Sequence, residues 1–448
     1  MSARQTHASR ARTNVIVIGA GASGLAAAAE LARCGRTALL VDARERIGGR
    51  IWSHREPGLP VPLELGAEFI HGRAEAVFSL LEKAASAAVD RGSEHWTLRD
   101  GRLAPSQGLF AEISVAMKST RALDKKDMSL EVFVQRHLRE ALSGEARAHA
   151  LMMAQGFDAA DTRRASARAI VEEWTGGASV EGPQFRPLGG YGALLSHLEG
   201  ELRGSSVDVQ LNTIVRAVRW SRGSVNVSGT FLGRPFDVAA RRAIITLPLG
   251  VLQLSARMAG AVRFTPALSA KRDALKHLAA GPVVKVLLRF RKAFWDELDH
   301  GRYREVDFFH DRQAAFPTIW TALPVRTPIL AAWAGGPKAE RLAGASKSEI
   351  VQQALQSLGT TFSGRADRDI ERSLEGAWVH DWQSDPFARG AYSYVTVAGD
   401  KAREQLAAPL RNTLFFAGEA ADTEEAGTVA GAFRSGMRAA REVLASPI

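Results

Sequence analysis

The sequence predicts an α/β fold made of two interleaved domains. One is of the Rossmann type, with a parallel sheet and a β-meander, and the other is an α+β domain that carries a helical insert. Three observations lead to this expectation: a β-α-β opening after residue 13, a helix-rich stretch between about residues 74 and 180, and a strand-turn-helix segment near the C-terminus. A length of 448 residues also exceeds what one compact core accommodates.

The opening unit begins with the β-branched run Asn14–Ile18, which is typical of a strand buried on both faces of a parallel sheet. A glycine-rich turn follows, and then an Ala-rich helix from Leu25 to Cys34 that ends at Gly35. The apolar run Thr37–Val41 predicts a second strand, which ends on Asp42. These segments form one complete βαβ unit.

The middle of the chain changes character twice. Residues 74–180 predict amphipathic helices, for example Ala76–Asp90 and Leu130–Leu142, and another helix follows Gly192. Short strands are then expected at Val207–Leu211, Val215–Trp220, Val225–Phe231 and Ala243–Thr246, which indicates a β-meander. Beyond residue 266, the strands Val283–Phe290 and Ile329–Ala334 and the helix Lys347–Leu358 indicate a second sheet-containing domain.

The segment Leu414–Leu444 reads as a strand, a glycine-rich turn and a helix, which is the pattern of the first domain. We therefore assign residues 14–73, 186–260 and 377–448 to the first domain. Residues 74–185 and 261–376 form the second domain with its insert. Residues 1–13 are polar and basic, lack the apolar core of a signal peptide, and are expected to be a disordered arm.

Composition excludes several classes of function. The formal charge is +10, but the basic residues are scattered among acidic ones, so nucleic-acid binding is not expected. No apolar stretch reaches the roughly 18 residues of a spanning helix, so no membrane association is predicted. The single cysteine, Cys34, excludes an intramolecular disulfide and favours the reducing cytoplasm. No metal site is predicted, and the sequence leaves a homodimer open.

The glycine-rich turn carries the pattern G-x-G-x-x-G at Gly19, Gly21 and Gly24, and Asp42 lies 18 residues beyond the last of them. Gly19 permits a tight turn, Gly21 lets the backbone approach a pyrophosphate, and Gly24 lets the helix pack closely on the strand. The N-terminus of the helix offers N–H groups to phosphate, and Asp42 accepts hydrogen bonds from ribose hydroxyls. This context predicts a dinucleotide site.

The continuation from Asp42 to Arg50 adds a second glycine pair and an arginine, which favour the extended pyrophosphate of FAD over NAD. With these residues the chain resembles the flavin amine oxidase family, which includes monoamine oxidases, polyamine oxidases and flavin-dependent histone lysine demethylases. Its motifs are most similar to those of polyamine-oxidase-like bacterial members. The resemblance recurs at Glu64–Gly72, Asn212–Val215, Phe416–Glu419 and Ala426–Ala432.

The resemblance implies an FAD-binding first domain and a substrate-binding second domain. The implied cofactor-binding positions are Gly19, Gly21, Ala22, Ser23, Gly24, Asp42, Ala43, Arg44, Gly49, Arg50, Gly66, Ala67, Glu68, Phe69, Val215, Trp382, Gly418, Glu419, Gly427, Thr428 and Val429. Monoamine oxidases attach flavin through a cysteine before a tyrosine, and here that position is Ala391, so noncovalent FAD is expected. Cys34 is then interpreted as a small buried residue.

The reaction that the resemblance implies is oxidation of an amine. A hydride equivalent passes from the carbon beside nitrogen to flavin N5, the imine is hydrolysed, and O₂ is reduced to peroxide. Lys285, among apolar neighbours, matches a lysine that reaches N5 through water in this family. The alternative is a lysine that faces solvent from an edge strand.

Three further positions complete the predicted catalytic set. Tyr392 and Trp382 are aromatic candidates for the wall before the flavin, with plain core packing as the alternative. The second tyrosine of the monoamine oxidases falls on Thr428, which predicts a wider entrance and a secondary or longer amine. His71 resembles a histidine near the substrate nitrogen of polyamine oxidases, and a surface histidine is the alternative.

Two questions about the substrate stay open in the sequence. Either Glu64 or Glu68 is able to face the pocket and bind a distal ammonium group. Phe69 stands where amino-acid oxidases use an arginine, which disfavours an α-amino acid. The alternatives to an amine oxidase are a carotenoid-desaturase-like or protoporphyrinogen-oxidase-like enzyme, and a flavin-binding module with a basic interaction surface.

Overall fold

A computed structural model describes residues 11–92, 94–106, 108–176, 182–362 and 367–446 of the protein. The strands are β1 Ala11–Ile18, β2 Ala38–Val41, β3 Ser53–His54, β4 Leu63–Glu64, β5 Ile70–His71, β6 Ala88–Asp90, β7 His95–Arg99, β8 Arg102–Pro105, β9 Gln184–Pro187, β10 Val207–Gln210, β11 Thr213–Ser221, β12 Ser224–Phe231, β13 Arg234–Ile245, β14 Arg263–Thr265, β15 Leu278–Gly281, β16 Val283–Phe290, β17 Phe308–His310, β18 Thr318–Thr321, β19 Ile329–Gly335, β20 Leu374–Asp381, β21 Tyr392–Val395 and β22 Leu414–Phe416.

The α-helices alternate with these strands. They are α1 Ala22–Arg33, α2 Glu75–Lys83, α3 Leu109–Ser119, α4 Leu130–Arg136, α5 Gly144–Gly156, α6 Ala167–Thr175, α7 Gly192–Leu202, α8 Leu249–Leu252, α9 Arg272–Lys276, α10 Pro337–Arg341, α11 Lys347–Thr361, α12 Asp367–Ser373, α13 Ala402–Ala407 and α14 Val429–Ala445. None of the helices in the described ranges is long and apolar enough to cross a membrane.

The first sheet has the strand order β10-β2-β1-β13-β12-β11-β14, with β22 beside β13. Strand β1 pairs in parallel with β2 and β13, and β13 pairs in parallel with β22. Strand β12 pairs in antiparallel fashion with both β11 and β13, and these three strands form the meander. The structure thus confirms the predicted α/β class with a parallel sheet and a β-meander.

Strand β1 begins earlier than predicted. Residues Ala11, Arg12 and Thr13 pair with Val238, Ala239 and Ala240 of β13, because that long strand extends past the end of β2 and offers free backbone groups. The expected disordered arm is therefore wrong for residues 11–13. Its first ten residues lie outside the described part of the chain.

Helices α1 and α14 pack together on one face of this sheet. Glycines set the spacing: a Cβ at Gly24 would lie 1.8 Å from the Gly19 carbonyl oxygen, and a Cβ at Gly436 would lie 2.1 Å from the Ser23 carbonyl oxygen. Leu25 and Phe433 belong to the core between these layers. Cys34, expected to be buried, follows the last turn of α1 and is exposed, because the chain leaves the core there.

The second sheet has the order β20-β16-β19-β18-β17-β7-β8. Strand β16 lies between β19 and β20 and is buried along almost its whole length. Strand β20 crosses residue 377, where the sequence predicted a return to the first domain, because Ala377 to Asp381 pair with β16. Strand β14, at residues 263–265, conversely belongs to the first sheet.

The predicted helical insert also contains strands. Strands β7 and β8 extend the second sheet because Trp96 and Leu103 join its core. The helix predicted from Ala76 to Asp90 ends at Lys83, since Ala85 has a φ of 49° and Ala88 to Asp90 pair with β9. Helix α4 likewise ends at Arg136 instead of Leu142. Helices α3 to α6 form a separate core around Phe133 and Trp174.

Candidate active site

A cavity of about 940 Å³ is bordered by residues of both sheets and of the helical insert. Its wall includes Gly21 and Asp42 from the βαβ unit, Lys285 from β16, Phe157 after α5, and Gly427 before α14. This volume suits a large ligand together with a small one. Except for Gly24, which packs against the Gly19 carbonyl, the predicted cofactor residues and the predicted catalytic residues all border this one cavity.

The βαβ end of the cavity has the features of a pyrophosphate cradle. Gly21 borders the cavity, and a Cβ there would reach only ordinary van der Waals contact, 3.9 Å from the Gly48 carbonyl oxygen. The N-terminus of α1 starts beside it, and the buried Ser23 hydroxyl has no hydrogen-bond partner among the described residues. Gly49, from the second glycine pair, approaches Gly21 from the opposite side. Unused donors around open space fit a bound phosphate group.

Asp42 is positioned for a ribose. Its Oδ2 accepts from Ala20 N at 2.7 Å and its Oδ1 accepts from Arg44 N at 2.8 Å. Each oxygen keeps lone pairs for a ligand hydroxyl, because a carboxylate accepts about four hydrogen bonds. Burial raises the pKa of this carboxyl, and the two backbone donors oppose that rise. Val215 borders the same cavity, as the sequence predicted.

Two arginines of the predicted FAD site are held by carboxylates. Arg44 donates from Nη1 and Nη2 to Asp385, each at 2.9 Å. Arg50 Nη1 donates to Glu419 Oε1 at 2.8 Å and to the Ala391 carbonyl at 2.6 Å. These pairs tie the N-terminal βαβ unit to the C-terminal segment of the chain.

Lys285 lies at the centre of a buried charged cluster. Its Nζ donates to Glu68 Oε2 at 2.7 Å and to the Gly66 carbonyl at 3.3 Å. Glu68 also accepts from Arg186 Nε at 2.9 Å and from Trp320 Nε1 at 3.1 Å. Burial opposes ionisation of Glu68, but the charges of Lys285 and Arg186 lower its pKa to about 2.

The exposure of Lys285 decides between the two interpretations of this residue. Its side chain is 1% exposed, and β16 is an inner strand of the second sheet. The edge-strand alternative is therefore wrong. Glu64, the other candidate carboxylate, does not border the large cavity: it accepts from Ser53 Oγ at 2.6 Å and from Tyr191 N at 3.0 Å.

The predicted aromatic positions also border the cavity. Tyr392 donates its hydroxyl to the Phe157 carbonyl at 2.6 Å, and Trp382 donates Nε1 to the Leu65 carbonyl at 3.1 Å. Burial raises the pKa of Tyr392, so its hydroxyl stays protonated. Because their polar atoms are bonded to the backbone, both rings are fixed in the wall.

Thr428 and His71 differ in the freedom of their polar atoms. The Thr428 hydroxyl caps α14, since it accepts from Gly431 N at 3.0 Å and donates to the Glu425 carbonyl at 2.6 Å. His71 Nδ1 is hydrogen-bonded to Gln184 Oε1, and burial lowers the pKa of His71 to about 4. Since the amide oxygen accepts, the neutral ring carries its proton on Nδ1. The surface alternative for His71 is wrong.

Much of the cavity wall comes from residues that sequence reasoning missed. They include Arg91, His95, Phe157, Asp158, Glu173, Phe308, His310, Trp320 and Trp333. They lie on short strands and loops without a spacing motif, so the only signal was a local enrichment in aromatic and histidine residues. Asp158 accepts from Trp174 Nε1 at 3.2 Å, and burial together with Glu173 raises the pKa of Asp158.

Comparison with known proteins identifies relatives over nearly the whole chain. The family profile described as flavin containing amine oxidoreductase matches residues 22–444. Lysine-specific histone demethylase 2 of Homo sapiens is 26% identical over 464 residues, covering 96% of this chain and 53% of that protein. Polyamine oxidase 5 of Oryza sativa subsp. japonica is 28% identical, covering 96% of this chain and 87% of the oxidase. The chain thus spans about half the length of the human demethylase.

Solved structures share the fold. A putrescine oxidase with bound putrescine superposes with a TM-score of 0.79 at 21% identity, covering 97% of this chain and 99% of the oxidase. Cyclohexylamine oxidase from Brevibacterium oxydans superposes with a TM-score of 0.74 at 21% identity, covering 96% and 98% of the two chains. At this level of identity the similarity concerns the fold.

Proposed function

The chain belongs to the flavin containing amine oxidoreductase family, and on that premise we propose that it is an FAD-dependent oxidase of a primary or secondary amine. The observation that carries the proposal is one cavity that joins the dinucleotide fingerprint at Gly21 and Asp42 to the buried Lys285–Glu68 pair. A desaturase or a binding module does not require a buried lysine at that position.

The residues present fit FAD. The cavity wall at Gly21, the Ser23 hydroxyl without a partner among the described residues, and the remaining lone pairs of Asp42 suit the pyrophosphate and the ribose. When bound, FAD supplies the acceptor for a hydride equivalent from the carbon beside nitrogen, and the electrons pass on to O₂. Ala391, beside Tyr392, offers no thiol for covalent attachment, so the proposal keeps noncovalent FAD.

The protein's own residues then position the amine and exclude water. Glu68 holds Lys285 Nζ beside the Gly66 carbonyl, so that Nζ is able to hold one water at the cavity wall. The fixed rings of Tyr392 and Trp382 form an apolar wall that favours the neutral amine. The free Nε2 of neutral His71 accepts a hydrogen bond from an amine N–H.

We extend the proposal to an extended amine, either a polyamine or another long amine. Thr428 is smaller than a tyrosine, and its hydroxyl is committed to capping α14, so the cavity keeps room for a long substrate. Asp158 and Glu173 supply carboxyl groups at the side of the helical insert. The polyamine oxidases among the relatives support this substrate class. The proposal further includes a cytoplasmic location and release of peroxide.

The purified protein tests this proposal directly. We expect a yellow protein that releases intact FAD on acid precipitation and produces peroxide with at least one amine. The screen covers polyamines, aromatic monoamines, N-methylated amines and cyclic amines. A colourless protein that cannot be reconstituted with FAD, or a flavin that no amine reduces under anaerobic conditions, would contradict the proposal.

A further inference from the structure

Arg91 places a guanidinium in the wall of the cavity, between β6 and β7. Its Cζ lies 4.5 Å from the ring centroid of Phe308 and 5.4 Å from that of Phe69. Its backbone N donates to the Gln184 carbonyl at 3.1 Å, which fixes the start of the side chain. Two aromatic faces therefore hold the guanidinium in one orientation.

This guanidinium lacks partners for its N–H groups. Nε and Nη1 of Arg91 are buried and make no hydrogen bond with any described residue. Among the described residues, no carboxylate lies within the 4.0 Å of a salt bridge to Arg91. Burial lowers the pKa of Arg91 to about 10, so it stays positively charged at neutral pH. A buried, unpaired charge is costly unless a ligand pairs with it.

The neighbouring charged groups do not satisfy Arg91. Asp307 attracts it, and Asp307 Oδ1 is itself buried without a hydrogen-bond partner among the described residues, but no hydrogen bond or salt bridge joins the two side chains, and Asp307 Oδ2 accepts from Glu94 N at 3.3 Å. Glu68 also attracts it, but Glu68 is bonded to Lys285, Arg186 and Trp320. Arg186 repels it. His95, stacked on Phe308, is neutral because burial lowers its pKa to about 3.

The position of Arg91 relative to Lys285 sets the size of a matching ligand. A series of ring contacts separates the two residues. Lys285 Nζ lies 5.2 Å from the centroid of the Trp320 ring, the ring centroids of Trp320 and Phe69 are 5.6 Å apart, and the Arg91 guanidinium lies over the Phe69 ring. A group bound at Arg91 is therefore several bonds away from an amine carbon placed at Lys285.

We propose that Arg91 binds a carboxylate at the far end of the substrate, so that the oxidised amine belongs to an ω-amino acid rather than to a diamine. The planar guanidinium offers paired N–H donors that match the two oxygens of a carboxylate. This inference rests on the proposed amine oxidation. The competing diamine would place its second ammonium group at Asp158 and Glu173, where burial and the neighbouring Glu173 raise the pKa of Asp158.

The first experiment measures binding without turnover. Pentanoate and pentan-1-ol are titrated into the holoenzyme, and binding is followed by the flavin absorbance spectrum and by the melting temperature. We expect pentanoate to bind at least tenfold more tightly than pentan-1-ol, Arg91→Met to lose at least tenfold of that affinity, and Arg91→Lys to fall between them. Arg168→Met is the matched control, because Arg168 also borders the cavity but donates to Asp400 and to the Leu123 carbonyl.

The second experiment compares 5-aminopentanoate, pentan-1-amine and 1,5-diaminopentane as substrates. We expect the lowest KM for 5-aminopentanoate in the wild type, and in Arg91→Met a rise of at least tenfold in that KM with little change in kcat. Equal pentanoate binding in wild type and Arg91→Met, or preference for the diamine, would overturn the inference.

The two sets of results separate this inference from the proposed function. If no amine is oxidised but pentanoate binding still depends on Arg91, the proposed function fails and the carboxylate site stands. The alternative is that Arg91 is only a counter-ion for Asp307. In that case Arg91→Met lowers the melting temperature, the addition of Asp307→Asn to Arg91→Met restores it, and the wild type shows no carboxylate binding. That last pattern would overturn the inference.

Discussion

Lys285 shows how one residue acquires a role from its surroundings. Burial of an ammonium group that is 1% exposed is costly unless a partner compensates for it, and Glu68 at 2.7 Å is that partner. Glu68 in turn retains Arg186 and Trp320 as partners, so it stays satisfied when Lys285 is replaced. A substitution at Lys285 therefore tests chemistry more than folding.

We expect Lys285→Met to slow flavin reduction or reoxidation at least tenfold, about 1.4 kcal/mol of barrier, while FAD stays bound. Stopped-flow absorbance measures both rates. Lys271→Met is the control, since Lys271 is as buried as Lys285 but lies outside the cavity and donates to the carbonyls of Gln405 and Ala408. Lys271→Met should lower stability and leave both rates unchanged. Unchanged rates in Lys285→Met would remove this lysine from the mechanism.

A second prediction at the scale of a residue concerns Glu64 and the pH dependence of stability. Burial raises the pKa of Glu64 from 4.5 to about 7, so the folded protein holds a proton that the unfolded chain has already released. Stability from this group is therefore present below pH 4.5 and declines as pH rises to about 7. The shift corresponds to roughly 3 kcal/mol.

Glu64→Gln removes this decline because an amide does not ionise, and its oxygen keeps the hydrogen bonds from Ser53 and Tyr191. Relative to wild type, the free energy of unfolding of the variant should rise by roughly 3 kcal/mol between pH 4 and pH 8. Urea denaturation of both proteins at these pH values measures the difference. A difference that stays constant with pH would show that Glu64 is ionised in the folded state.

At the scale of elements, helix α14 completes the βαβ unit from the far end of the chain. The contact between Gly436 and the Ser23 carbonyl brings the C-terminal helix against the fingerprint turn. Thr428 caps the same helix at the cavity wall. The close approach of two helices thus sets the shape of the predicted pyrophosphate site.

We expect Gly436→Ala to reduce both stability and flavin content, because its Cβ would lie 2.1 Å from the Ser23 carbonyl oxygen. Overpacking of this kind costs about 1–3 kcal/mol. Gly200→Ala is a matched control within helix α7, because a Cβ at this position meets nothing within 4 Å. This variant should stabilise the protein by up to about 1 kcal/mol. Urea denaturation and the absorbance ratio of flavin to protein measure the two effects. Equal behaviour of the two variants would contradict the proposed contact.

At the scale of the whole molecule, the cavity joins elements that are distant in the chain. Arg50, in the loop after β2 of the first sheet, binds Glu419, which follows β22, and Lys285 from the second sheet binds Glu68 from the N-terminal part of the chain. A ligand that fills this cavity should therefore stabilise both sheets together.

We expect FAD to raise the free energy of unfolding of the apoprotein by about 2.7 kcal/mol at a hundredfold excess over its Kd. FMN should stabilise much less, because it lacks the adenosine phosphate half that we propose Gly21, Asp42 and Val215, at the cavity wall, bind. Thermal denaturation of the apoprotein with each flavin measures this. Equal stabilisation by FMN would show that the βαβ unit does not contribute to flavin binding.

The sequence predicted the parts of the fold that local rules decide. The strand Val15–Ile18, the turn at Gly19 to Gly24 and the acid at Asp42 follow from β-branched residues, glycine conformation and helix N-terminal chemistry. The sequence alone failed at Ala11–Thr13 and at Ala88–Asp90, because those residues become strands only by pairing with β13 and β9.

By itself, the sequence determined the cofactor class, the family and the positions of Lys285 and Tyr392 within it. Only the tertiary structure decided that Glu68 rather than Glu64 pairs with Lys285, and that Nε and Nη1 of Arg91, at the wall of the same cavity, have no hydrogen-bond partner among the described residues. The physical reason is that charge pairing depends on distances of a few ångströms between segments far apart in the chain. A sequence motif specifies the spacing of residues along the chain but not the distances between them in space.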